Sequence, residues 1–339
     1  MLLRVEAKGL YCAAGDFYID PSRAVDRALI THAHADHART GCRRYLCAER
    51  GEGLLRLRLG GGAAIESLPF GQTRNLDGVE VSFHPSGHIL GAAQIRVAYR
   101  GEVWVVSGDY KLQPDPTADP FEAVACHTFI SECTFGLPIY RWPDPTQVAQ
   151  EMNDWWRANR RLGRHAFIYA YSLGKAQRVL AGLDRSLGPM YLHPAVFDLL
   201  PAYWDQGIHL PNVPRVSRDL LRKAKRGALV ILPPGASDSK YSRGVGPIST
   251  AFASGWMAVR GVRRGRRIEK GFVLSDHADW NGLNEAILST GAERVFLTHG
   301  QTAVLERWLR EKGLDARPLP TSSNSKSDQG GSEQNPATS

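Results

Sequence analysis

With 339 residues, of which 43% are hydrophobic, the chain is long enough to bury a full core in one large domain or two intertwined domains. No apolar run reaches the roughly 18 residues that a membrane span needs, and the opening MLLRVEAKGL carries charges where a signal peptide has its apolar region, so we expect a cytoplasmic protein. Forty-two Lys and Arg against 34 Asp and Glu give a formal charge of +8, which favours an anionic partner but does not by itself identify nucleic acid.

Short β-type runs and helical patterns alternate along the chain. The β-type runs, in chain order, are RALIT, VEVSFHP, AQIRVAY, EVWVVSGDY, FIYAYS, PMYLH, ALVIL, FVLSD and RVFLTHG. Helical patterns lie between the later runs, in TQVAQEMNDWWRANR, GKAQRVLAGLD and NGLNEAILSTG. This alternation predicts an α/β fold in which helices cover sheets. Residues 321–339 contain no large apolar side chain, so we expect them to form a disordered tail.

The segment HAHADH follows the first of these β-type runs, so a strand end is expected to carry a loop rich in metal ligands. Its candidate ligands are His32, His34, Asp36 and His37. Three imidazoles and a carboxylate so close together suit zinc or a similar divalent ion, and their spacing requires them to be shared between two ions. The five cysteines form no C-x-x-C pair, so we expect reduced, buried thiols rather than a thiolate zinc site or a disulfide framework.

Three further candidate ligands also stand at strand ends. His88 follows VEVSFHP, Asp109 follows EVWVV, and His299 stands near the end of RVFLTHG. Each lies beside a glycine, which lets the backbone approach a metal or a substrate closely. A single histidine in such a place is more often a hydrogen-bonded surface residue, but these positions and the HAHADH loop together predict a dinuclear hydrolytic site.

Taken in this order, the ligand segments resemble those of the metallo-β-lactamase superfamily, over nearly all of residues 1–320. The resemblance implies two bound zinc ions, with manganese as the alternative metal, and it implies that Asp109 bridges them. The other ligands would form two sets, His32, His34 and His88 for one ion and Asp36, His37 and His299 for the other. Asp20, at the end of FYID, is similar to the aspartate that orients the ligand loop in that family. An ordinary helix or turn cap is its other interpretation.

Two later segments resemble the β-CASP nucleases, a branch of the superfamily that processes nucleic acids. ECTFG, which begins at Glu132, matches the acidic motif that precedes the branch's inserted domain, and SDHAD, with His277 and Asp279, matches the motif that follows it. The interval from Asp109 to His299, 299 minus 109 or 190 residues, leaves room for that insertion. The run FIYAYSLGKAQ looks like its opening strand and turn. GLPIYRW, ASGWM and SDHADW look more closely like the bacterial ligase-associated DNA exonucleases.

The resemblance implies a metallo-β-lactamase αββα sandwich that is interrupted by an inserted β-CASP α/β domain. We expect the core in residues 1–140 and 258–320, the insertion in 141–257 and the tail in 321–339. The active site is expected in the groove between the two domains. Such a groove favours a strand threaded from its end, and thus an exonuclease, although it does not exclude an endonuclease.

The residues expected to act in catalysis are Asp36, Glu132 and His277. His277 is the candidate proton donor to the leaving oxygen, and Glu132 would keep its imidazole protonated and oriented. A purely structural pair is the other interpretation of these two residues. Asp279 closes the same motif, and we expect it to support the site from behind the ligands.

Candidate substrate-binding residues lie outside the metal motifs. Lys175 follows Ser172 and Gly174 at a predicted helix start, where backbone N–H groups and an ammonium group suit a phosphate, although such lysines more often lie on a solvated face. Tyr140, Trp142 and Trp256 are candidates for stacking on bases, with core packing as the plainer interpretation of the two tryptophans. A run of basic residues that includes Arg260 and Arg263 could follow a nucleic-acid backbone, and a solvated hairpin tip is its alternative.

The favoured function is therefore a zinc-dependent DNA nuclease, an exonuclease of DNA repair associated with an ATP-dependent ligase and a helicase. An RNA-processing nuclease of the same branch differs in substrate alone and would use contacts to the 2′-hydroxyl. A hydrolase of small esters or lactams would explain the metals but would leave Glu132 and His277 without a role. A non-catalytic scaffold would have lost ligands, whereas every ligand position is filled here.

Overall fold

The computed structural model describes residues 1–224, 227–236, 238–259 and 269–320. Arg260, Arg263 and the predicted tail at 321–339 lie outside these ranges. The chain divides into two compact units, of which the first joins Met1–Arg141 to the described chain from His277 onward and the second is Trp142–Asp276. None of the helices in the described ranges combines the length and the apolar character that crossing a membrane requires.

The first unit contains a six-stranded and a seven-stranded sheet. The strands of the six-stranded sheet are β1 (Arg4–Glu6), β2 (Gly9–Cys12), β3 (Phe17–Ile19), β4 (Arg27–Ile30), β5 (Arg44–Ala48) and β6 (Ile65–Leu68). They lie side by side in chain order, with antiparallel pairing from β1 to β3 and parallel pairing from β3 to β6. The carboxyl ends of β3, β4, β5 and β6 therefore face the same edge.

The strands of the seven-stranded sheet come from both chain segments of this unit. They are β7 (Arg74–Leu76), β8 (Val79–Pro85), β9 (Ala93–Tyr99), β10 (Glu102–Val106), β11 (Thr128–Cys133), β17 (Arg294–Gly300) and β18 (Asp315–Pro318), in the order β18-β17-β11-β10-β9-β8-β7. Pairing is parallel from β18 to β10, and β9 is antiparallel to both β10 and β8. It follows that β8, β10, β11 and β17 all end at one edge of this sheet.

Three α-helices accompany these sheets in the described part of the first unit. They are α1 (Glu52–Leu59), which follows a short 3-10 turn at Glu49–Gly51, α8 (Trp280–Ser289) and α9 (Thr302–Glu311). The last two begin next to residues of the predicted motifs, because α8 directly follows SDHAD and α9 follows the strand that holds His299.

Successive residues of the seven-stranded sheet enter two different cores, as the alternation of side chains along a strand requires. Trp104 and Val106 of β10 pack in a core that also holds Phe17 and Leu29 of the six-stranded sheet, so the two sheets share one apolar interior. Val105 lies in the core on the other face of the seven-stranded sheet. That second core contains residues of α8 and α9, namely Leu283, Ala286, Ile287, Leu305 and Leu309. Helices thus cover the face that the six-stranded sheet leaves open.

The second unit is built on a five-stranded parallel sheet. Its strands are β12 (His165–Tyr169), β13 (Met190–Leu192), β14 (Leu229–Leu232), β15 (Ile248–Ala253) and β16 (Lys270–Phe272), in the order β13-β14-β12-β15-β16. Its helices are α2 (Pro145–Arg161), α3 (Lys175–Ala181), α4 (Pro194–Phe197), α5 (Leu200–Asp205), α6 (Arg218–Lys223) and α7 (Asp238–Ser242), with 3-10 turns at Arg185–Leu187 and Gly255–Ala258. Every residue of β12, β13 and β14 is buried, which explains their continuous apolar runs.

The long helix α2 shows how local sequence sets an element's limits. Asp144 accepts a hydrogen bond from the backbone N–H of Thr146, and Pro145 occupies the first turn, where its missing N–H costs nothing. Val148, Met152 and Trp156, spaced four residues apart, form its buried stripe. The helix ends before Gly163, whose φ of 66° lies in the left-handed region.

The predicted α/β class is confirmed. VEVSFHP, AQIRVAY and RVFLTHG coincide with β8, β9 and β17. The resemblance implies an inserted domain that ends at residue 257, and this boundary stays a prediction; in the structure β16 pairs with β15 and the second unit continues to Asp276. All five cysteines are buried and unpaired, as expected from their spacing.

His165, at the start of β12, should make the second unit sensitive to acid. Its Nδ1 accepts a hydrogen bond from the backbone N–H of Ala228 at 3.0 Å, and its Nε2 lies 3.0 Å from the carbonyl oxygen of Val245. The neutral ring with its proton on Nε2 satisfies both contacts. Burial lowers the pKa of His165 below its ordinary value of 6.5.

Below about pH 6.5 the unfolded chain therefore takes up a proton that the folded chain does not, and the free energy of unfolding should fall by up to about 1.4 kcal/mol per pH unit until the folded pKa is reached. Hydrogen exchange of the β12 peptides between pH 7.5 and 5 would measure this change. His165→Asn keeps an acceptor near Ala228 and should remove that part of the pH dependence. An equally steep dependence in this variant would contradict the assignment.

Candidate metal centre

Strand ends from both sheets of the first unit meet where the predicted ligands lie. His88 and Asp109 follow β8 and β10, while Glu132 and His299 lie near the ends of β11 and β17. The HAHADH loop follows β4 and Thr31. The carbonyl of Thr31 accepts a hydrogen bond from the backbone N–H of Ala93, the first residue of β9, at 2.9 Å. A Cβ on Gly108 would stand 2.7 Å from the Cβ of Thr31. A glycine at position 108 is therefore required for the loop that carries Asp109 to approach Thr31, the residue before the HAHADH loop.

Four ligand atoms form a tight group, on three buried residues and the half-buried His34. His34 Nδ1 lies 3.0 Å from His32 Nε2 and 3.1 Å from His88 Nε2. The Oδ2 atom of Asp109 lies 3.5 Å from His32 Nε2 and 3.7 Å from His88 Nε2. These separations are close to the edge of a tetrahedron, about 3.3 Å, around an ion with ligand distances of about 2.0 Å. The arrangement therefore fits one tetrahedral divalent ion.

The charge state of these histidines also suits metal binding. Burial, together with the neighbouring imidazoles of His37 and His88, holds the pKa of His32 well below its ordinary value of 6.5. A neutral imidazole has a free lone pair, which is the form that binds a metal. The residues present thus match a metal ion in both geometry and protonation.

A second group of ligand atoms lies on the other side of Asp109. The Nε2 atom of His37 is 3.6 Å from Asp109 Oδ2 and 3.7 Å from Asp36 Oδ2. The ring centroid of His299 lies 5.7 Å from that of His37. His299 is exposed and has a φ of 55°, in the left-handed region that non-glycine residues rarely adopt. Asp109 is thus next to both sets of predicted ligands.

The Nε2 atom of His37 shows that a metal ion would fit this second group. Among the described residues, His37 Nε2 is buried and has no hydrogen-bond partner. Burial lowers the pKa of His37, but the charges of Asp109, Asp20 and Asp36 outweigh it and raise the pKa to about 10. The surroundings therefore stabilise positive charge at this ring, and a divalent ion at Nε2 would satisfy the atom and the carboxylates together.

Asp20 holds this ligand loop from behind. One carboxylate oxygen accepts a hydrogen bond from the backbone N–H of Thr31 at 2.8 Å, and the other lies 2.7 Å from His37 Nδ1 and also accepts from the Thr31 hydroxyl. With Nδ1 held by a carboxylate, Nε2 is the nitrogen of His37 that faces the ligand group. Asp279 caps α8, because its Oδ1 accepts a hydrogen bond from the backbone N–H of Gly282.

Glu132 and His277 form a buried pair beside the first ligand group. The Nδ1 atom of His277 lies 2.9 Å and 3.1 Å from the two carboxylate oxygens of Glu132, which also accept from the backbone N–H groups of Tyr110 and Thr134. Burial raises the pKa of Glu132, but the charge and hydrogen bond of His277 outweigh it and leave this pKa below its ordinary value. The ring centroid of His277 lies 4.8 Å from that of His88.

In the described part of the chain, two groups of potential metal ligands have all their ligand atoms within 4.8 Å of one another. One is His32, His34, His88 and Asp109, and the other is Asp109, Glu132 and His277. Since Nδ1 of His277 and both oxygens of Glu132 already take part in hydrogen bonds, the first group is the stronger candidate for a metal.

The predicted phosphate-binding residues lie in the second unit. Lys175 begins α3 and is buried, with Nζ 3.8 Å from Asp276 Oδ2 and 5.1 Å from the ring centroid of Tyr171, so it is not on a solvated face. Gly174 has a φ of 89°, and its backbone N–H donates to the side chain of Gln177. The carbonyl of Ser172 accepts from the same side chain. These contacts fix the turn before α3.

The predicted stacking residues differ in exposure. Tyr140 is buried and packs against Phe135 with ring centroids 4.8 Å apart, so its ring is not open to a base. Stacking by Tyr140 is therefore corrected to a packing role. Trp142 and Trp256 are partly exposed. Arg260 and Arg263 lie outside the described residues.

Two residues that the sequence patterns did not single out also touch ligand residues. The thiol of Cys133 donates to the carbonyl of His299 at 2.8 Å, and burial raises its pKa far above the ordinary value, so it stays a neutral donor. The ammonium of Lys111 donates to the carbonyl of His88 at 3.3 Å. Lysine is rarely buried, so residue type does not point to a role for Lys111 inside the protein. In the sequence, only its position two residues after Asp109 suggests a role near the site.

Comparison with known proteins finds relatives whose names refer to DNA, RNA or transcription. No protein-family model matches it. It is 33% identical over 311 residues to a protein named “Probable DNA ligase” from Opitutus terrae, in a match that covers 91% of this chain and 30% of that protein. It is 29% identical over 126 residues to “Endoribonuclease ysh1” of Aspergillus fumigatus, a match that covers 35% of this chain and 14% of that protein.

A third relative is “Transcription termination factor FttA” of a Lokiarchaeum species, 27% identical over 157 residues, which are 43% of this chain and 24% of that protein. The chain thus spans less than a third of the length of each of these relatives. Its fold is similar to that in the crystal structure of a protein of unknown function from Enterococcus faecalis V583, with a TM-score of 0.59, 15% identity, and coverage of 87% of this chain and 79% of that chain.

Proposed function

We propose that the chain is a metal-dependent phosphodiesterase of the β-CASP branch of the metallo-β-lactamase superfamily and that it cleaves nucleic acid. The observation that carries this proposal is the convergence of His32, His34, His88 and Asp109 around one tetrahedral position, beside the buried His277–Glu132 pair. An ester or lactam hydrolase would account for the ligands, but not for a buried acid and base held next to them. In this proposal, the first unit is the αββα core and the second is the inserted domain.

The proposed ligand sets follow the two groups on either side of Asp109. His32, His34 and His88 would hold one ion, Asp36, His37 and His299 would hold the other, and Asp109 would contact both. The chemistry that two bound divalent ions supply is activation of water and stabilisation of negative charge on the phosphate. Zinc suits the donor set best, because imidazole nitrogens and carboxylates in a tetrahedral arrangement are its usual ligands, and manganese remains the alternative.

The protein's own groups would then act on the leaving oxygen. Glu132 holds Nδ1 of His277, so the ring can keep a second proton at Nε2 and give it to the departing 3′ or 5′ oxygen. A charged Glu132 stabilises the imidazolium form that this step needs. Asp36 orients the reacting centre as a ligand. Asp20 and Asp279 would support the site from behind.

DNA is the proposed substrate, and exonucleolytic repair alongside an ATP-dependent ligase and a helicase is the proposed setting. The match to the protein named as a DNA ligase supports this choice because it extends over 91% of the chain, whereas the matches to the endoribonuclease and the termination factor cover 35% and 43%. RNA cleavage by the same site is the second candidate, favoured by the names of those two relatives. Lys175, with Ser172 and Gly174, is proposed to bind phosphate, Trp142 and Trp256 to stack on bases, and Arg260 and Arg263 to follow the backbone.

Degradation of matched end-labelled strands would test the function. Single-stranded DNA and RNA of one sequence would be incubated with the full chain and zinc or manganese, with and without a chelator. We expect progressive shortening of DNA from one end, slower loss of RNA, and no cleavage in chelator. Faster cleavage of RNA would favour the second candidate, and internal cuts in DNA would indicate an endonuclease. If both strands stay intact with either metal, the proposed nuclease function is wrong.

A further inference from the structure

The loops that carry His88 and Asp109 are tied together by backbone and side-chain contacts. The hydroxyl of Ser86 donates to the carbonyl of Asp109 at 2.9 Å, and the backbone N–H of Lys111 donates to the carbonyl of Ser86 at 3.0 Å. Between these contacts Gly87 has a φ of 79°, and a Cβ there would stand 1.9 Å from the carbonyl oxygen of Lys111. The two loops are therefore in direct backbone contact.

Lys111 also reaches His88 with its side chain. Lys111 is 1% exposed, and its ammonium donates to the carbonyl of His88 at 3.3 Å and to Asp115 Oδ2 at 2.6 Å. The other oxygen of Asp115 accepts from the backbone N–H and the hydroxyl of Thr117, at 2.8 Å and 2.7 Å. A lysine is almost never buried without a partner, because removing its charge from water is costly. Asp115 supplies the compensating charge.

We propose that Lys111 is a positioning residue, which holds the backbone of His88 against that of Asp109 and so sets the geometry of these two metal ligands. The inference rests on the proposed metal site. Lys111 contacts the His88 loop at two points, because its backbone N–H donates to the carbonyl of Ser86 and its ammonium donates to the carbonyl of His88. Because Lys111 is also two residues from Asp109, it couples the two ligand loops in addition to the Ser86–Asp109 hydrogen bond.

Asp115 neutralises the charge of the Lys111 ammonium. An unpaired ammonium next to a ligand loop would oppose the charge of a bound divalent ion, whereas an ion pair has no net charge. The Lys111–Asp115 pair can therefore anchor His88 without weakening metal binding electrostatically. A neutral side chain at 111 would avoid the same repulsion but would leave the carbonyl of His88 without this donor.

Metal affinity separates a positioning role from a merely stabilising one. Lys111→Met keeps most of the side-chain volume, and we expect it to weaken zinc binding by about 10- to 100-fold, the usual effect of losing a group that orients a ligand. Lys111→Met combined with Asp115→Asn leaves no unpaired buried charge, so it should be more stable than the single variant yet bind zinc equally weakly. Zinc affinity would be measured by competition with a chromophoric chelator, and stability by unfolding of the metal-free chain.

Val79→Ala is the matched control, because it removes buried atoms from β8, the strand before His88, without touching either ligand loop. It should lower stability and leave zinc affinity unchanged. Wild-type affinity in either Lys111 variant that folds, or an equal loss of affinity in Val79→Ala, would overturn the positioning role. If the wild-type chain binds no zinc or manganese, the proposed metal site itself is wrong, and this outcome is distinct from the other two.

Discussion

Replacing Asp109 by asparagine is expected to reduce nucleic-acid cleavage by on the order of 10³-fold and to lower the bound metal below two ions per chain. The carboxylate Oδ2 lies 3.5 to 3.7 Å from the Nε2 atoms of His32, His88 and His37, so it is next to ligands of both groups. An amide keeps the size of the side chain but loses its negative charge. Metal content by mass spectrometry and initial rates on end-labelled DNA would measure both effects.

Asp26→Asn is the control for this change. Asp26 is on the surface of the same unit, paired with Arg43 and Arg44, and its loss should alter neither metal content nor rate. Two ions bound with wild-type affinity in Asp109→Asn would contradict the bridging role. One ion retained with full activity would instead indicate a mononuclear site.

The distribution of charge in the site is consistent with an anionic substrate. Asp36 and Asp109 are the two carboxylates among the proposed ligands, and the histidines would bind as neutral rings, so the ligands would neutralise only part of the charge of two divalent ions. The remaining positive charge would be complementary to a phosphodiester and to the further charge that it gains during hydrolysis. The formal charge of +8 on the whole chain has the same sign.

The positions of the candidate ligands were predictable because strand ends are visible in the sequence. VEVSFHP, EVWVV and RVFLTHG are apolar runs with sharp ends, and each run has a polar residue and a glycine at or just after that end. The order of strands in the sheet then brings these ends to one edge. The pairing of His277 with Glu132, 145 residues apart, depends on the same edge, because Glu132 lies near the end of β11.

Other features depend on packing that local patterns do not contain. Lys111 and Tyr140 both lie next to recognised motifs, and both are buried, although lysine is almost never fully buried and tyrosine is intermediate in burial. Strands β11 and β15 are missing from the predicted runs, because TFISEC and ISTAFA mix polar with apolar residues although most of these side chains are buried. Burial of Ser131, Glu132 and Ser249 follows from tertiary contacts rather than from periodicity.

Replacing His277 by alanine is expected to lower kcat by about 10²- to 10⁴-fold while leaving both metal ions bound, because the change removes the proposed proton donor and none of the proposed ligands. Glu132→Gln should give a smaller loss, since the ring remains but the charge that keeps it protonated is absent. The matched control is His84→Ala, which breaks the His84–Glu122 contact of 3.0 Å, where the carboxylate is half exposed. Its rate should equal that of the wild type.

Leaving-group chemistry separates these interpretations of His277. A substrate whose leaving oxygen is a good leaving group, such as a nitrophenyl phosphodiester, needs little protonation, so His277→Ala should slow its hydrolysis far less than that of DNA. Metal content measured on the same preparations shows whether His277 is instead a metal ligand. Loss of an ion in His277→Ala would show that the residue binds a metal together with Asp109 and Glu132. Equal losses of rate on both substrates with metal retained would make the His277–Glu132 pair purely structural.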